Sequence, residues 1–92
     1  MATIRIPSSL RRYTNSQAKV VISGTTINEI IDNLDLAYPG LKPRICDETG
    51  QIKRYVNIFV NEDEIRTLQG ADSPVSDADE VSIIPAMAGG IL

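Results

Sequence analysis

Gly89-Gly90 sits near the end of the chain inside an uncharged run, Ala86-Met87-Ala88-Gly89-Gly90-Ile91-Leu92. With no charge, no strong turn residue and adjacent glycines, this segment has little to hold it down and is expected to be mobile. Taken by itself, such a pair more often marks an idle tail than a site. Other reactive side chains are sparse. There is no histidine, which removes the commonest general base, the usual nucleophilic triads and every imidazole metal site. Cys46 is the single cysteine, so an internal disulfide and a thiolate zinc cluster are both excluded. It reads as a buried, inert thiol rather than a redox or sulfur-relay group. Glu62-Asp63-Glu64 resembles paired catalytic carboxylates only superficially, because acidic residues in a turn are usually solvated. Arg11 and Arg12, with Arg5 nearby, read as a solvated basic loop before they read as a contact for an acidic partner. No metal site is expected.

The elements that must position this tail fit one small domain, since 92 residues bury roughly 60 to 65% of the unfolded surface, enough for one core. A composition 42% hydrophobic and 23% charged is that of an ordinary globular chain. Nine basic against twelve acidic residues give a net charge of -3, opposite in sign to the footprint of a typical nucleic-acid binder. Met1-Ala2-Thr3-Ile4-Arg5 lacks the apolar segment of a signal peptide, and no apolar run approaches a membrane span. The expectation is a cytoplasmic protein whose partners include neither nucleic acid nor membrane.

Alternation over Thr3 to Ile6 predicts a first strand, stopped by Pro7-Ser8-Ser9. The β-branched run in Ala18 to Ser23 predicts a second, hairpinned to the first across a polar loop from Arg11 to Gln17. Ile27, Ile30, Ile31, Leu34 and Tyr38 form one helical stripe, with Thr26 and Glu29 spaced as a capping box and Pro39-Gly40 as the stop. Leu41 to Cys46 suggests a short helical turn, and Asp47 to Gln51 a loop. Tyr55 to Val60 reads as strand, with Val56, Ile58 and Val60 on one face and Tyr55, Asn57 and Phe59 on the other. Glu64 to Arg66 is expected as a short strand, Leu68 to Glu80 as a long polar connection, and Val81 to Pro85 as the last strand. One amphipathic helix must pack across one face of a single mixed sheet of about five strands. The fold class is thus α+β, a β-grasp over residues 1–85, with a tail at 86–92.

That element order, together with Tyr55-Val56-Asn57-Ile58-Phe59-Val60-Asn61, Asp77-Ala78-Asp79-Glu80-Val81 and Pro85-Ala86-Met87-Ala88-Gly89-Gly90, resembles the ubiquitin-like sulfur-carrier family over nearly the whole chain. The family comprises the molybdopterin-synthase small subunit, the thiamine-pathway carrier and the carrier serving a cysteine synthase. The strand and tail are most similar to the last.

The resemblance implies that Gly90, beside Gly89, presents a terminal carboxylate that a ubiquitin-activator-like enzyme adenylates with ATP and that is then converted to a thiocarboxylate. The chain would be a substrate of its partners rather than an enzyme, with no bound cofactor. A free carboxylate is ionised at neutral pH and is a poor electrophile until adenylation supplies a leaving group. Glycines pass a narrow channel because they lack a Cβ, and Ala86 to Gly90, with small side chains at Ala86 and Ala88, spans up to roughly 17 Å when extended. Family members normally end at the second glycine, whereas Ile91-Leu92 follows here, so the resemblance implies a precursor trimmed by a peptidase. The sulfur-accepting enzyme would serve cysteine, molybdopterin or thiamine synthesis. For docking, Phe59 and Ile84 are candidate apolar anchors on the open sheet face, with Tyr55 at its edge, although a strand aromatic such as Phe59 packs inward just as readily. Two other readings remain: a modifier conjugated through Gly90 to lysines, and a non-covalent β-grasp interaction module.

Overall fold

Apolar side chains at alternate positions set the first hairpin. In the computed structural model, which describes residues 1–85, β1 (Ala2–Arg5) buries Ala2 and Ile4, and β2 (Lys19–Ile22) buries Val20 and Ile22. The two pair antiparallel with Ile4 opposite Val20. Their connection is not the expected open loop, because Ser8–Tyr13 winds into a 3-10 helix that buries Leu10. The following turn buries the Thr14 hydroxyl between the carbonyls of Arg11 and Gln17.

Helix α1 (Ile27–Ala37) buries Ile27, Ile30, Ile31 and Leu34, and Tyr38 packs beside them, the stripe that the spacing predicts. Thr26 caps it by accepting from the Glu29 N–H at 3.2 Å. The Glu29 carboxylate reaches back to the N–H and hydroxyl of Thr25, one residue earlier than a standard capping box requires. The Asp35 carboxylate accepts from the N–H groups of Gly40 and Lys42, closing the chain onto α2 (Lys42–Ile45). Gly40 has φ +105 and lies against Tyr13, where a Cβ would come within 3.0 Å of the ring. Only glycine combines that backbone with that contact.

The sheet has the order β2-β1-β5-β3-β4, with β3 at Val56–Val60, β4 at Asp63–Glu64 and β5 at Glu80–Pro85. Parallel pairing of β1 with β5 places the last strand centrally, flanked by antiparallel β3. Val56, Ile58 and Val60 interleave with Val81 and Ile83 on the face that α1 covers, which is the β-grasp architecture.

Two expectations need correction. The strand expected at Glu64 to Arg66 is only Asp63–Glu64, because Ile65–Thr67 turns into a 3-10 helix to bury Ile65. The long polar connection expected from Leu68 to Glu80 carries a third 3-10 helix, Gly70–Asp72, and buries Ser73 and Val75 against the start of α1. There the Ile27 N–H donates to the Ser73 carbonyl and the Val75 N–H to that of Thr25.

Candidate functional site

The register of β5 decides what its end presents. Val81 and Ile83 point into the core, so Ser82 and Ile84 face the uncovered side of the sheet, and Ile84 is 50% exposed. Opposite them on β3 stand Phe59, across from Ser82, and Asn57, across from Ile84. Phe59 is half-buried and lies outside the buried core. Of the two positions open to it, it occupies the open face. Tyr55 precedes β3 rather than beginning it and is 48% exposed, with the Lys53 ammonium 5.9 Å from its ring centroid. Phe59 and Ile84 thus share the open face of the sheet, and Tyr55 is exposed in the turn next to Val56, the register partner of Pro85. Gly89, Gly90, Ala86, Ala88, Ile91 and Leu92 lie outside the described residues.

Arg66 organises this surface, and nothing in the sequence singled it out. Its guanidinium donates to Asn57 Oδ1 at 2.8 Å and to the carbonyls of Lys53, Arg54 and Val56 at 3.3, 3.2 and 3.0 Å. It thereby holds the turn that carries Tyr55 against the first residues of β3. Its partners are mostly main-chain oxygens, which leave no mark in the residue pattern. Glu64 Oε2 stands 3.6 Å from Arg66 Nη1, an ion pair too long to be a hydrogen bond.

On the other flank of β5, Arg5 and Lys19 approach Glu80 at 3.7 and 3.8 Å. All these side chains are substantially exposed, so the pairs contribute little to stability. Arg11 donates from Nε to the Ile6 carbonyl, whereas Arg12 and Arg44 lie over the Tyr13 ring.

Cys46 is buried at the end of α2, and burial pushes its thiol pKa up. A thiol in that state is a weak nucleophile at neutral pH. Of the acidic run expected to be solvated, Glu62 and Asp63 are exposed, whereas Glu64 is half-buried and its Oε2 is buried without a hydrogen-bond partner. Among the described residues no group of acidic and cysteine side chains is arranged to hold a metal ion, and no helix is long and apolar enough to cross a membrane.

The model of the ThiS family matches residues 4–90. The chain is 39% identical over 90 residues to the sulfur carrier protein CysO of Mycobacterium tuberculosis, covering 96% of this chain and 97% of that protein. It is 34% identical over 65 residues to small archaeal modifier protein 3 of Haloferax volcanii, covering 71% of this chain and 70% of the other. Its structure is similar to CysO in the crystal structure of the Amycolatopsis orientalis BexX/CysO complex, with a TM-score of 0.91, 36% identity and coverage of 98% of this chain and all of that one.

Proposed function

The chain belongs to the ThiS family, and from that premise we propose that it is a ubiquitin-like sulfur carrier of the CysO type. Gly90 is the residue that carries the cargo. The observation that carries this reading is the extent of the family match, which runs through Gly89 and Gly90 and stops short of Ile91-Leu92.

The proposed chemistry starts when a peptidase removes Ile91-Leu92, replacing the Gly90 amide by a carboxylate. A ubiquitin-activator-like enzyme then joins that carboxylate to the α-phosphate of ATP, releasing pyrophosphate. A sulfide equivalent displaces AMP from the acyl-adenylate and leaves a thiocarboxylate, which delivers sulfur to a biosynthetic enzyme. Every bond-making group except the Gly90 carboxylate is supplied by partners, so the chain acts as a substrate that they recognise. The similarity to CysO, which extends over nearly the whole chain, supports cysteine synthesis as the client pathway ahead of molybdopterin or thiamine synthesis. The open face around Phe59, Ile84 and Tyr55 is the proposed docking surface, since it adjoins the point where β5 leads into the tail.

Pyrophosphate exchange tests the proposal. A chain ending at Gly90 should support ATP-pyrophosphate exchange by its activating enzyme, whereas the chain retaining Ile91-Leu92 and a Gly90→Val variant ending at the same position should not. Exchange by the untrimmed chain would overturn the precursor step.

The similarity to small archaeal modifier protein 3 favours one second reading, conjugation of the activated Gly90 to lysines. The two readings share adenylation and part afterwards: conjugation yields a ladder of larger species on an immunoblot, whereas carriage yields one small protein bearing sulfur.

A further inference from the structure

β5 is paired unequally on its two sides. Pairing with β1 ends at Arg5 opposite Ser82, whereas pairing with β3 continues to Val56 opposite Pro85. Beyond that last pair with β1, the ladder of β5 continues on the β3 side alone.

The backbone direction of these residues follows from two hydrogen bonds. Asn61 N–H donates to the Glu80 carbonyl, so even-numbered residues of β5 face β3, and Thr3 N–H donates to the Asp79 carbonyl, so the odd-numbered ones face β1. The carbonyls of Ile83 and Pro85 thus point to the side that β1 has left. Pro7 stands where β1 would continue, and it has no N–H to offer.

A groove of ≈ 540 Å³ opens there, between β5 and the Pro7-Ser8-Ser9 segment, within the range of a ligand-sized site. Its lining includes the cations of Arg5, Arg11 and Lys19 and no acidic residue, in a chain of net charge -3. Glu80 approaches Arg5 and Lys19 from outside that lining at 3.7 and 3.8 Å, too far to be a hydrogen bond.

We propose that this groove receives an extended, carboxylate-bearing segment of a partner protein, which adds to the sheet beside Ile83 to Pro85. The segment's N–H groups complete the ladder at the Ile83 and Pro85 carbonyls, and its acidic side chains pair with Arg5 and Lys19. Main-chain bonds supply affinity and the cations select the partner. The site lies beside Pro85, the last described residue of β5. The proposal rests on the carrier reading only for which protein supplies the segment.

The probe is a fluorescein-labelled hexapeptide of alternating glutamate and valine, titrated into the full chain by anisotropy and by amide NMR shifts. The expected result is saturable binding with shifts at Ser8, Ser9, Ile83 and Ile84. A lysine-valine hexapeptide, and the glutamate peptide methylated on alternate backbone nitrogens, should each bind at least about tenfold more weakly. The doubly reversed variant, Arg5→Glu with Lys19→Glu, should exchange preference and take the lysine peptide, which also shows that it is folded. Equal affinity for both peptides, indifference to backbone methylation, or shifts confined to other strands would each overturn the proposal. Because the probe needs no activating enzyme, a chain that acquires sulfur yet ignores the peptide fails here alone. One that binds the peptide and never acquires sulfur supports the groove and counts against the carrier.

Discussion

Asn61 Nδ2 donates to Asp79 Oδ1 across 3.0 Å, tying the turn between β3 and β4 to the residue that leads into β5. The same side chain accepts from the Glu80 N–H at 3.0 Å, and the Asn61 N–H donates to the Glu80 carbonyl at 2.7 Å. Asn61 also has φ 57, in the left-handed region that asparagine tolerates better than most residues. The strand that presents the tail is thus anchored at its far end by one asparagine. Asn61→Ala should cost about 1–3 kcal/mol through lost hydrogen bonds and backbone strain. Asn61→Gly should recover the strain component alone. Urea midpoints measure both, and an unchanged midpoint for the alanine variant would show that the anchor carries no stability.

The same anchor sets an acid response. The Ser76 N–H first, and the Asn61 amide second, hold the Asp79 carboxyl below its usual range. The Thr49 hydroxyl first does the same for Asp47, and the Thr25 N–H for Glu29. Each folded-state pKa lies below the unfolded one, so the stability they contribute is present above about pH 4 and is lost as pH falls through the folded values. With no histidine, nothing comparable titrates between about pH 5 and 7. The urea midpoint should therefore be level from about pH 5 to 7 and fall below about pH 4. Asp79→Asn should lower the plateau and flatten the acid fall, and a variant that keeps the full acid slope would remove Asp79 from the explanation.

Thr26 should be worth about 1 kcal/mol to the domain as the cap of α1, measured as the loss in Thr26→Ala. Thr26→Ser retains the hydroxyl and should lose much less. Equal losses would assign the effect to the methyl group instead of the cap.

Ile84 tests the proposed docking face separately from the fold. It is exposed, so Ile84→Asp should leave the unfolding free energy from urea titration within about 0.5 kcal/mol of that of the native chain. Placed among the proposed apolar anchors, it should raise the KM of the activating enzyme about tenfold with kcat unchanged. An unchanged KM would remove Ile84 from the docking surface.

What the residues disclosed follows their physics. The stripe of Ile27, Ile30, Ile31 and Leu34 announced α1, and the alternation around Ile58 and Ile83 announced strands, because burial imposes a period on the chain. The 3-10 helices at Ser8–Tyr13, Ile65–Thr67 and Gly70–Asp72 were not legible, since each is too short to show a period, and the first two answer to a tertiary need, the burial of Leu10 and Ile65. The anchoring roles of Asn61 and Arg66 were hidden for a related reason: their partners lie 18 and 9 to 13 residues away. The glycine pair was visible at once, but its meaning came from likeness to a family and not from spacing. The gap beside Ile83 was invisible, because it depends on where β1 stops pairing with a strand 77 residues later.

Gly90 is the proposed bearer of sulfur, and intact mass of the protein isolated from its own cells measures this directly. The predicted spectrum shows loss of Ile91-Leu92 and, in part of the population, replacement of one oxygen by sulfur, both mapping by fragmentation to Gly90. A native protein that always retains Ile91-Leu92, or that ends at Gly90 and never gains sulfur in cells making the client product, would contradict it.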